Sequence, residues 1–278
     1  MPDSLNDIKS KMRSVENTKQ ITMAMELVSS SKLKKYRTKF EDNKVYNETV
    51  LKSVKDVLGS ISDIPLGNRN DKGLKAYIVI TSDTGLAGGY NANILNLVED
   101  LEIDKEKMLV ISIGQKGKAY FKKKKYNVNK YITDISENPE YKSAMYVGDL
   151  IMDLYKKGEV SEINVIYTKF ENILSQKPIV EKLFPIENSE KKKEHIEYIP
   201  SRESIYEYFF KKYIYMNIFS QLIESAVSEQ ASRKLSMESA TNNADEMIYD
   251  LELAYNRIRQ ASITREITEI VSGAEALK

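Results

Sequence analysis

Two long stretches of this chain can each form a single uninterrupted helix, and this feature limits its fold more than any other. The first stretch lies between Pro2 and Gly59 and contains no other glycine or proline. Asp3 or Ser4 can cap its start. At 1.5 Å per residue such a helix measures roughly 80 Å, which is too long for the interior of a compact domain. The pattern therefore predicts an elongated protein.

The second stretch follows Pro200 and continues to Ser272, with Ser201 as its candidate cap. It predicts a helix of about 70 residues, roughly 100 Å long. Two sets of mostly apolar or small side chains recur along it every seven residues, a spacing typical of a helix that pairs with another helix. The first set is Ile223, Gln230, Met237, Ala244, Leu251 and Ile258, and the second is Val227, Lys234, Thr241, Ile248, Tyr255 and Ser262.

The first helix carries one narrow apolar stripe, and the rest of its surface is charged. Apolar side chains recur there at spacings close to three and four, which places them on one face. This face is the predicted seam with the second helix. Its members are Leu5, Ile8, Met12, Val15, Ile21, Met25, Val28, Leu33, Tyr36 and Phe40.

Between the two helices the pattern changes to short β-branched runs. These runs are KAYIVITS (75–82), KMLVISIG (107–114) and EINVIYTKF (162–170). Helical stretches alternate with them, as expected of a parallel sheet with crossover helices. KPIVEKLFPIE and HIEYIP can add an edge hairpin, because proline is tolerated at sheet edges.

The predicted fold class is α/β with long helices: an antiparallel coiled coil of the N- and C-terminal helices flanks an inserted Rossmann-like α/β domain. We expect the first helix over 1–58, the α/β domain over 74–200 and the last helix over 205–278. The last helix is longer by about a dozen residues, roughly 18 Å, so its end lacks a partner within the chain. The apolar side chains of this end need a surface from another protein: Ile263, Ile267, Ile270, Val271, Ala274 and Leu277.

Composition excludes several classes of function. The 42 Lys and Arg against 41 Asp and Glu leave a net charge of +1, so bulk charge predicts neither nucleic acid nor an anionic membrane as the main partner. There is no cysteine and His195 is the single histidine, which argues against disulfides, cysteine zinc sites and Ser/His/Asp catalysis. No apolar stretch is long enough for a signal peptide or a membrane span. We expect a cytosolic protein, or one held at a membrane by other subunits.

Three local features allow more than one interpretation. The loop TSDTGLAGGYN (81–91) fits neither GxxxxGK[ST] nor GxGxxG, so we interpret it as a structural turn with Asp83 as a cap, and nucleotide binding as the alternative. Lysines 122–125 are expected to be solvated, with an acidic partner as the alternative. The aromatic stretch 205–219 is expected to pack on its own domain instead of on a membrane surface. Carboxylates form no catalytic pair and no metal box.

Three separated segments resemble the gamma subunit of the bacterial F-type ATP synthase. They are IKSKMRSVENTKQITMAMELVSSSKLKK at the beginning, TSDTGLAGGYNANI in the middle and SEQASRKLSMESATNNADEMIYDLELAYNRIRQASITREITEIVSGAEAL at the end. Because they occur in the family's order, the resemblance covers the whole chain.

The resemblance implies a rotor shaft that catalyses no reaction and holds no cofactor or metal. Its partners would be the alpha and beta subunits of the catalytic hexamer, the epsilon subunit and the polar loops of the membrane c-ring, with no nucleic acid and no direct membrane insertion. The α/β domain would form a foot on that ring. The complex would lie on the cytoplasmic face of a bacterial plasma membrane.

The resemblance also implies roles for particular residues. Contacts to the catch loop of the beta subunit would be made by Met25, Arg233, Arg259, Gln260, Thr264 and Glu266. The bearing tip would be formed by Ile263, Ile267, Ile270, Val271 and Ala274. The family's loop in the foot corresponds to Ser82, Asp83, Gly85, Leu86, Gly88, Gly89 and Asn91. Within that loop, Thr84 stands where many members have arginine, and Ala87 where some have cysteine.

Two other classes share part of this pattern. A coiled-coil protein with an inserted hinge-like dimerisation domain has the same order of elements, but it would normally carry ATPase segments or a self-association surface. A small nucleotide-binding enzyme with helical extensions would need a better phosphate loop than GLAGGY. Parallel dimerisation of the isolated chain would indicate the first class, and binding of ATP the second.

Overall fold

The computed structural model of the chain describes residues 5–60, 73–186 and 201–276. Spatial contacts divide the chain into two compact units. Unit 1 consists of Met1–Ser29 and Lys234–Lys278, and unit 2 is Ser30–Arg233. Within the described ranges, none of the helices is long and apolar enough to cross a membrane.

The two predicted long helices are present. Helix α1 spans Leu5–Ser60, and the last helix of the chain, α5, spans Arg202–Ala276. The hydroxyl of Ser201 accepts a hydrogen bond from the backbone N–H of Ser204 at 3.2 Å, so this serine caps α5 as predicted. The candidate caps of α1, Asp3 and Ser4, lie outside the described residues.

Unit 2 contains a five-stranded sheet. Its strands are β1 Leu74–Ile80, β2 Met108–Ile113, β3 Val128–Ile132, β4 Val160–Phe170 and β5 Gln176–Phe184. The spatial order is β3-β2-β1-β4-β5, with β1 to β4 parallel and β5 antiparallel to β4. The crossover helices are α2 Tyr90–Asp100, α3 Gln115–Lys124 and α4 Tyr141–Lys156.

Both faces of the sheet are covered because side chains alternate along each strand. Ala76, Ile78 and Ile80 pack with α4 and with α5 on one face. Tyr77 and Val79 pack with α2 and α3 on the other face. The aromatic stretch of α5 belongs to the first cluster, so the prediction that it packs on its own domain is confirmed.

One strand of the sheet was missed by the sequence analysis. Strand β3 was not expected, because VNKYI is short and its Asn129 and Lys130 are exposed at the sheet edge. Strand β5, which holds most of KPIVEKLFPIE, pairs with β4, and Pro178 lies on it. The hairpin with HIEYIP stays a prediction. The segment HIEYIP, including His195, lies outside the described residues.

In unit 1, α1 and α5 pair antiparallel, and two of the contacts between them are polar. Lys19 Nζ lies 2.6 Å from Asp245 Oδ1, and the hydroxyls of Thr22 and Thr241 are hydrogen-bonded at 2.9 Å. As residue numbers rise along α1, those of the partners fall along α5, which confirms the antiparallel pairing. Thr22 is buried there, and so is Ser29 one heptad later.

The predicted stripe of α1 was wrong at two of its positions. Ile21 is 60% exposed and Val28 is 56% exposed, although both were assigned to the seam. Their neighbours Thr22 and Ser29 occupy the seam instead. A hydroxyl can be buried at low cost in a helix when it hydrogen-bonds to a preceding carbonyl, and Ser29 does so by donating to Met25 O at 2.7 Å.

The pairing of α1 with α5 in unit 2 is also antiparallel, and most of its contacts are apolar. Leu33 and Tyr36 of α1 pack against two larger side chains of α5, Ile223 and Val227, and two alanines, Ala226 and Ala231. Further along α1, the side chain of Asn47 donates to the carbonyl of Met216 at 3.4 Å. The predicted fold class is therefore confirmed: long helices at both ends of the chain flank an α/β domain with a largely parallel sheet.

Candidate functional site

The end of α5 is the longest exposed helical surface in unit 1. The seven-residue tracks of α5 stay buried or half-buried down to Ser262, whereas every residue from 263 to 275 is exposed. Apolar side chains are included: Ile263 is 48% exposed and Ile270 is 71% exposed. Ile267, Val271 and Ala274 are exposed as well, so the residues of the predicted bearing tip form one apolar surface that the described part of the chain leaves uncovered.

Four polar residues predicted to contact a partner lie at the start of this exposed end. They are Arg259, Gln260, Thr264 and Glu266, and all are exposed. The hydroxyl of Ser262 approaches Glu266 Oε1 at 3.4 Å, which is a long hydrogen bond. These side chains are available for charge-assisted hydrogen bonds to another protein. Met25, on α1, is half-buried.

The glycine-containing loop connects β1 to α2 in unit 2, and Asp83 organises it. One oxygen of this carboxylate accepts the backbone N–H of Gln115, at the start of α3, at 3.0 Å. The other oxygen accepts the N–H of Asp134 at 3.1 Å and the hydroxyl of Ser136 at 2.6 Å. Asp83 therefore ties the ends of β1, β2 and β3 together, and of its two predicted roles, turn or cap, it takes that of a turn residue.

The remaining residues of the loop hold a compact turn. The side chain of Asn91 accepts from Ser82 N at 3.0 Å and donates to Ser82 Oγ at 2.7 Å. Leu86 adopts a left-handed conformation with φ 63° and is 63% exposed, and Gly88 has φ 54°. Gly89 directly precedes α2. A Cβ added at Gly85 would lie only 3.3 Å from Lys116 Nζ.

Helix α5 covers this loop directly. The hydroxyl of Ser232 donates to Ala87 O at 2.8 Å. The guanidinium of Arg233 donates to Thr84 Oγ1 at 2.8 Å and to Gly85 O at 3.2 Å. We call these five residues, Thr84, Gly85, Ala87, Ser232 and Arg233, the clasp. Because the carbonyls of the loop face donors of α5, these contacts are those of a structural turn.

A buried carboxylate lies beside the clasp. Glu229 is 1% exposed and Arg233 is 6% exposed, and Glu229 Oε1 lies 2.7 Å from Arg233 Nη2. This is a charge contact without the alignment of a hydrogen bond. Burial raises the pKa of Glu229 to about 7, although the positive charge of Arg233 acts in the opposite direction.

The charge of Glu229 also acts on its aromatic neighbours. The pKa of Tyr90 lies far above its usual range, first because this phenol is buried and then because the carboxylate of Glu229 is near. Tyr36 of α1 has a raised pKa, caused first by burial and then by the negative charges of Glu229 and Glu137. Both phenols are therefore neutral and can only donate or accept hydrogen bonds.

The clasp lies at the carboxyl ends of the parallel strands, near the boundary between β1 and β4. Strand order reverses at that boundary, and open α/β sheets commonly bind ligands there. In this chain α5 occupies the position: Ser228 donates to Thr168 O at 3.1 Å, and Glu224 accepts from Phe170 N at 3.1 Å. A cavity of about 50 Å³ remains beside Tyr90 and Thr168, with room for little more than water.

Sequence reasoning missed the burial of Glu229 and the partners of Arg233. The spacing of the two residues is that of an i,i+4 ion pair, which is usually an exposed feature of a helix. The available signal was the composition of SAVSEQAS (225–232), since small side chains on every face allow a helix to be enclosed. Residues 225–231 are buried on all sides.

Comparison with known proteins agrees with this geometry. A family model described as ATP synthase matches residues 4–277. The chain is 45% identical over 285 residues to the ATP synthase gamma chain of Alkaliphilus metalliredigens, with 99% of each chain covered. It is 38% identical over 302 residues to the sodium-ion-specific ATP synthase gamma chain of Acetobacterium woodii, with 100% of each covered.

The fold has a counterpart among solved structures. The chain resembles one in the cryo-EM structure of the Euglena gracilis mitochondrial ATP synthase (OSCP/F1/c-ring), with a TM-score of 0.75 at 18% identity. The match covers 98% of this chain and 94% of that one. At this identity the likeness concerns the fold.

Proposed function

Because this chain belongs to the ATP synthase gamma chain family, we propose that it is the central rotor stalk of an F-type ATP synthase. In this role it transmits torque between an ion-driven membrane ring and the catalytic hexamer of alpha and beta subunits. The chain contributes no catalytic residue of its own. It acts in ATP synthesis, and in the reverse direction when ATP is hydrolysed.

The observation that carries this proposal is the exposed end of α5. The helix continues without a break to Ala276, yet from residue 263 onward it has no cover within the described chain. Several large apolar side chains on one exposed helix normally mark a surface that a partner covers. A sleeve of catalytic subunits is such a partner, and a smooth helix with small residues between the apolar ones can turn in it.

Rotation changes catalytic sites only if the stalk interacts differently with each state of the subunits around it. A ligand or partner shifts a conformational equilibrium by its differential affinity for the two states. The exposed charges of Arg259 and Glu266 provide such differential contacts, because they bond to one beta subunit at a time. With Gln260 and Thr264 they form the proposed contact to the catch loop of the beta subunit.

Two further residues proposed to contact the catch loop of the beta subunit have different surroundings. Met25 is half-buried, so part of its side chain can touch a partner. Arg233 is enclosed by the clasp and by Glu229, and a contact to beta would require it to exchange these partners. We keep both as proposed contacts, and place the main interaction at the exposed end of α5.

The α/β domain of unit 2 serves as the foot in this proposal. Lys122, Lys123, Lys124 and Lys125 are exposed at the end of α3 and give it a basic surface. The epsilon subunit and the polar loops of the c-ring are its proposed partners. The complex then lies on the cytoplasmic face of a bacterial plasma membrane, where the ring subunits determine whether protons or sodium ions are used.

Purification of the complex tests this proposal. A tagged full-length chain is expressed in its native cells and recovered from detergent-treated membranes, with the untagged strain as the control. Alpha, beta and epsilon subunits in defined ratio and an ATPase activity in the eluate are the expected result. Recovery of the chain alone, or as a homodimer without ATPase activity, contradicts the proposal and favours the hinge-like class of coiled-coil protein.

A further inference from the structure

The carboxylate of Glu229 lies where five structural elements of unit 2 meet. Arg233 faces it from α5, Asp83 from the loop after β1 and Glu137 from the loop after β3. Tyr36 of α1 and Tyr90 of α2 complete the surroundings. Glu229 therefore shares this region with two half-buried carboxylates and one buried guanidinium, and Lys32 adds a weaker positive charge 3.9 Å from Glu137 at its margin.

The same region holds α5 on the sheet. Arg233 donates to the loop after β1, and the Thr84 hydroxyl that accepts from it donates to Glu137 Oε1 at 3.0 Å. Tyr36 donates to the backbone carbonyl of Glu137. The bonds that dock α5 and α1 on the two loops thus form one connected network. A change of charge beside Arg233 therefore alters the bonds that Arg233 makes to the loop after β1.

We propose that Glu229 is a proton-responsive latch: its neutral form keeps α5 docked on the loops after β1 and β3, and its ionised form loosens that docking. In the closed state the ionised carboxylate stays buried near the negative charges of Asp83 and Glu137, with Arg233 as its nearest positive charge, and Arg233 also donates to Thr84 and Gly85. Opening of the clasp exposes the carboxylate to water, which removes this cost.

The direction of the pH dependence follows from the two states of the latch. In the closed state burial raises the pKa of Glu229 to about 7, against a usual value of 4.5 for an exposed glutamate. The closed state therefore binds the proton more tightly, and opening releases it between these two pH values. Closure is strongest in acid, weakens as pH rises through this window and is weakest above pH 7. Between pH 6 and pH 8 the opening equilibrium rises roughly tenfold.

A single cysteine can report this opening, because the chain has none of its own. The side chain of Ala87 is 2% exposed and its carbonyl belongs to the clasp. In the full-length Ala87→Cys chain, the rate of labelling by a thiol reagent is measured from pH 6 to pH 8. This labelling rate is divided by the rate of a free cysteine peptide at the same pH. The quotient is proportional to the equilibrium constant for opening of the clasp. We expect this quotient to rise about tenfold.

Two further variants assign the effect to Glu229. Adding Glu229→Gln makes the side chain permanently neutral and should reduce the rise to less than twofold. Adding Glu238→Gln removes an exposed carboxylate of the same helix and should leave the rise intact. Adding Glu137→Gln removes a negative charge that faces Glu229, so the rise should move to lower pH.

Two results overturn the latch: a quotient that does not change with pH, or the same rise in the chain with Glu229→Gln. If that variant fails to fold, the pH dependence of opening is measured by hydrogen exchange of segment 82–89 in the unmodified chain. The Glu137→Gln chain is the comparison. Both measurements use the chain without partner subunits, so they stand apart from the rotor proposal.

Discussion

Helix α5 is enclosed on nearly all sides between residues 221 and 233, whereas between residues 263 and 275 every side chain is exposed. The composition of the two segments is similar: both mix isoleucine, valine, alanine, serine and glutamate. In the first segment the polar side chains have partners in the sheet and its loops, including Glu224 with Phe170 and Ser232 with Ala87. In the second segment the polar and apolar side chains face outward together.

Composition alone therefore does not distinguish a buried helix from a contact surface. Both segments follow a seven-residue pattern of small and apolar residues, and only the surrounding elements determine which faces are covered. In unit 2, a sheet and two loops enclose α5. In unit 1, the described part of α1 begins at Leu5, and α5 keeps half-buried positions as far as Ser262.

Isoleucine substitutions in the two regions should show the largest difference in their effect on the free energy of unfolding. Ile218 is fully buried in unit 2 and Ile267 is 56% exposed in unit 1. Ile218→Ala leaves a cavity and should lower the free energy of unfolding by about 2–5 kcal/mol. Ile267→Ala should change it by no more than about 0.5 kcal/mol. Urea unfolding of the full-length chain, followed by tyrosine fluorescence, measures both; equal losses would contradict the comparison.

Glycine substitutions should give a smaller effect of opposite sign in the two regions. A Cβ added at Gly148 of α4 would lie 2.4 Å from a ring carbon of Tyr215 on α5, whereas Gly273 has no atom within 4 Å of this position. Gly148→Ala should therefore destabilise the chain by about 1–3 kcal/mol through overpacking.

Gly273→Ala should instead favour the helical state by up to about 1 kcal/mol, because alanine is the better helix former. Helix content by circular dichroism and the midpoint of urea unfolding give the two signs. Stabilisation by Gly148→Ala would show that α4 and α5 are packed less closely than the structure indicates.

The sequence predicted elements that depend on local pattern. The two long helices, the cap at Ser201 and the three β-branched strands are all confirmed. Each depends on side-chain period, on an unbroken run without glycine or proline, or on a short side chain next to a turn. Such signals are contained in a few neighbouring residues.

The sequence failed where the outcome depends on distant residues. The assignment of Ile21 and Val28 to the seam of α1 was wrong, because Thr22 meets Thr241 and Ser29, the residue after Val28, is buried in its place. Strand β3 was missed because its pairing with β2 is visible only in three dimensions. The burial of Glu229 was missed because it depends on two loops far away in the chain.

In the proposed function, the exposed end of α5 is the contact by which the chain acts on the catalytic subunits. The most direct measurement is ATP synthesis by inverted membrane vesicles that carry Arg259→Ala with Glu266→Ala. The matched control is Arg37→Ala with Glu41→Ala, which removes an exposed ion pair of α1 in unit 2.

We expect at least a roughly tenfold loss of coupled synthesis with the first pair, because charge-assisted contacts to a partner contribute more than about 1.4 kcal/mol in total. The control pair should retain nearly the full rate at equal amounts of assembled complex. Unchanged synthesis with Arg259→Ala and Glu266→Ala together would contradict the claim that this end of α5 engages the beta subunits.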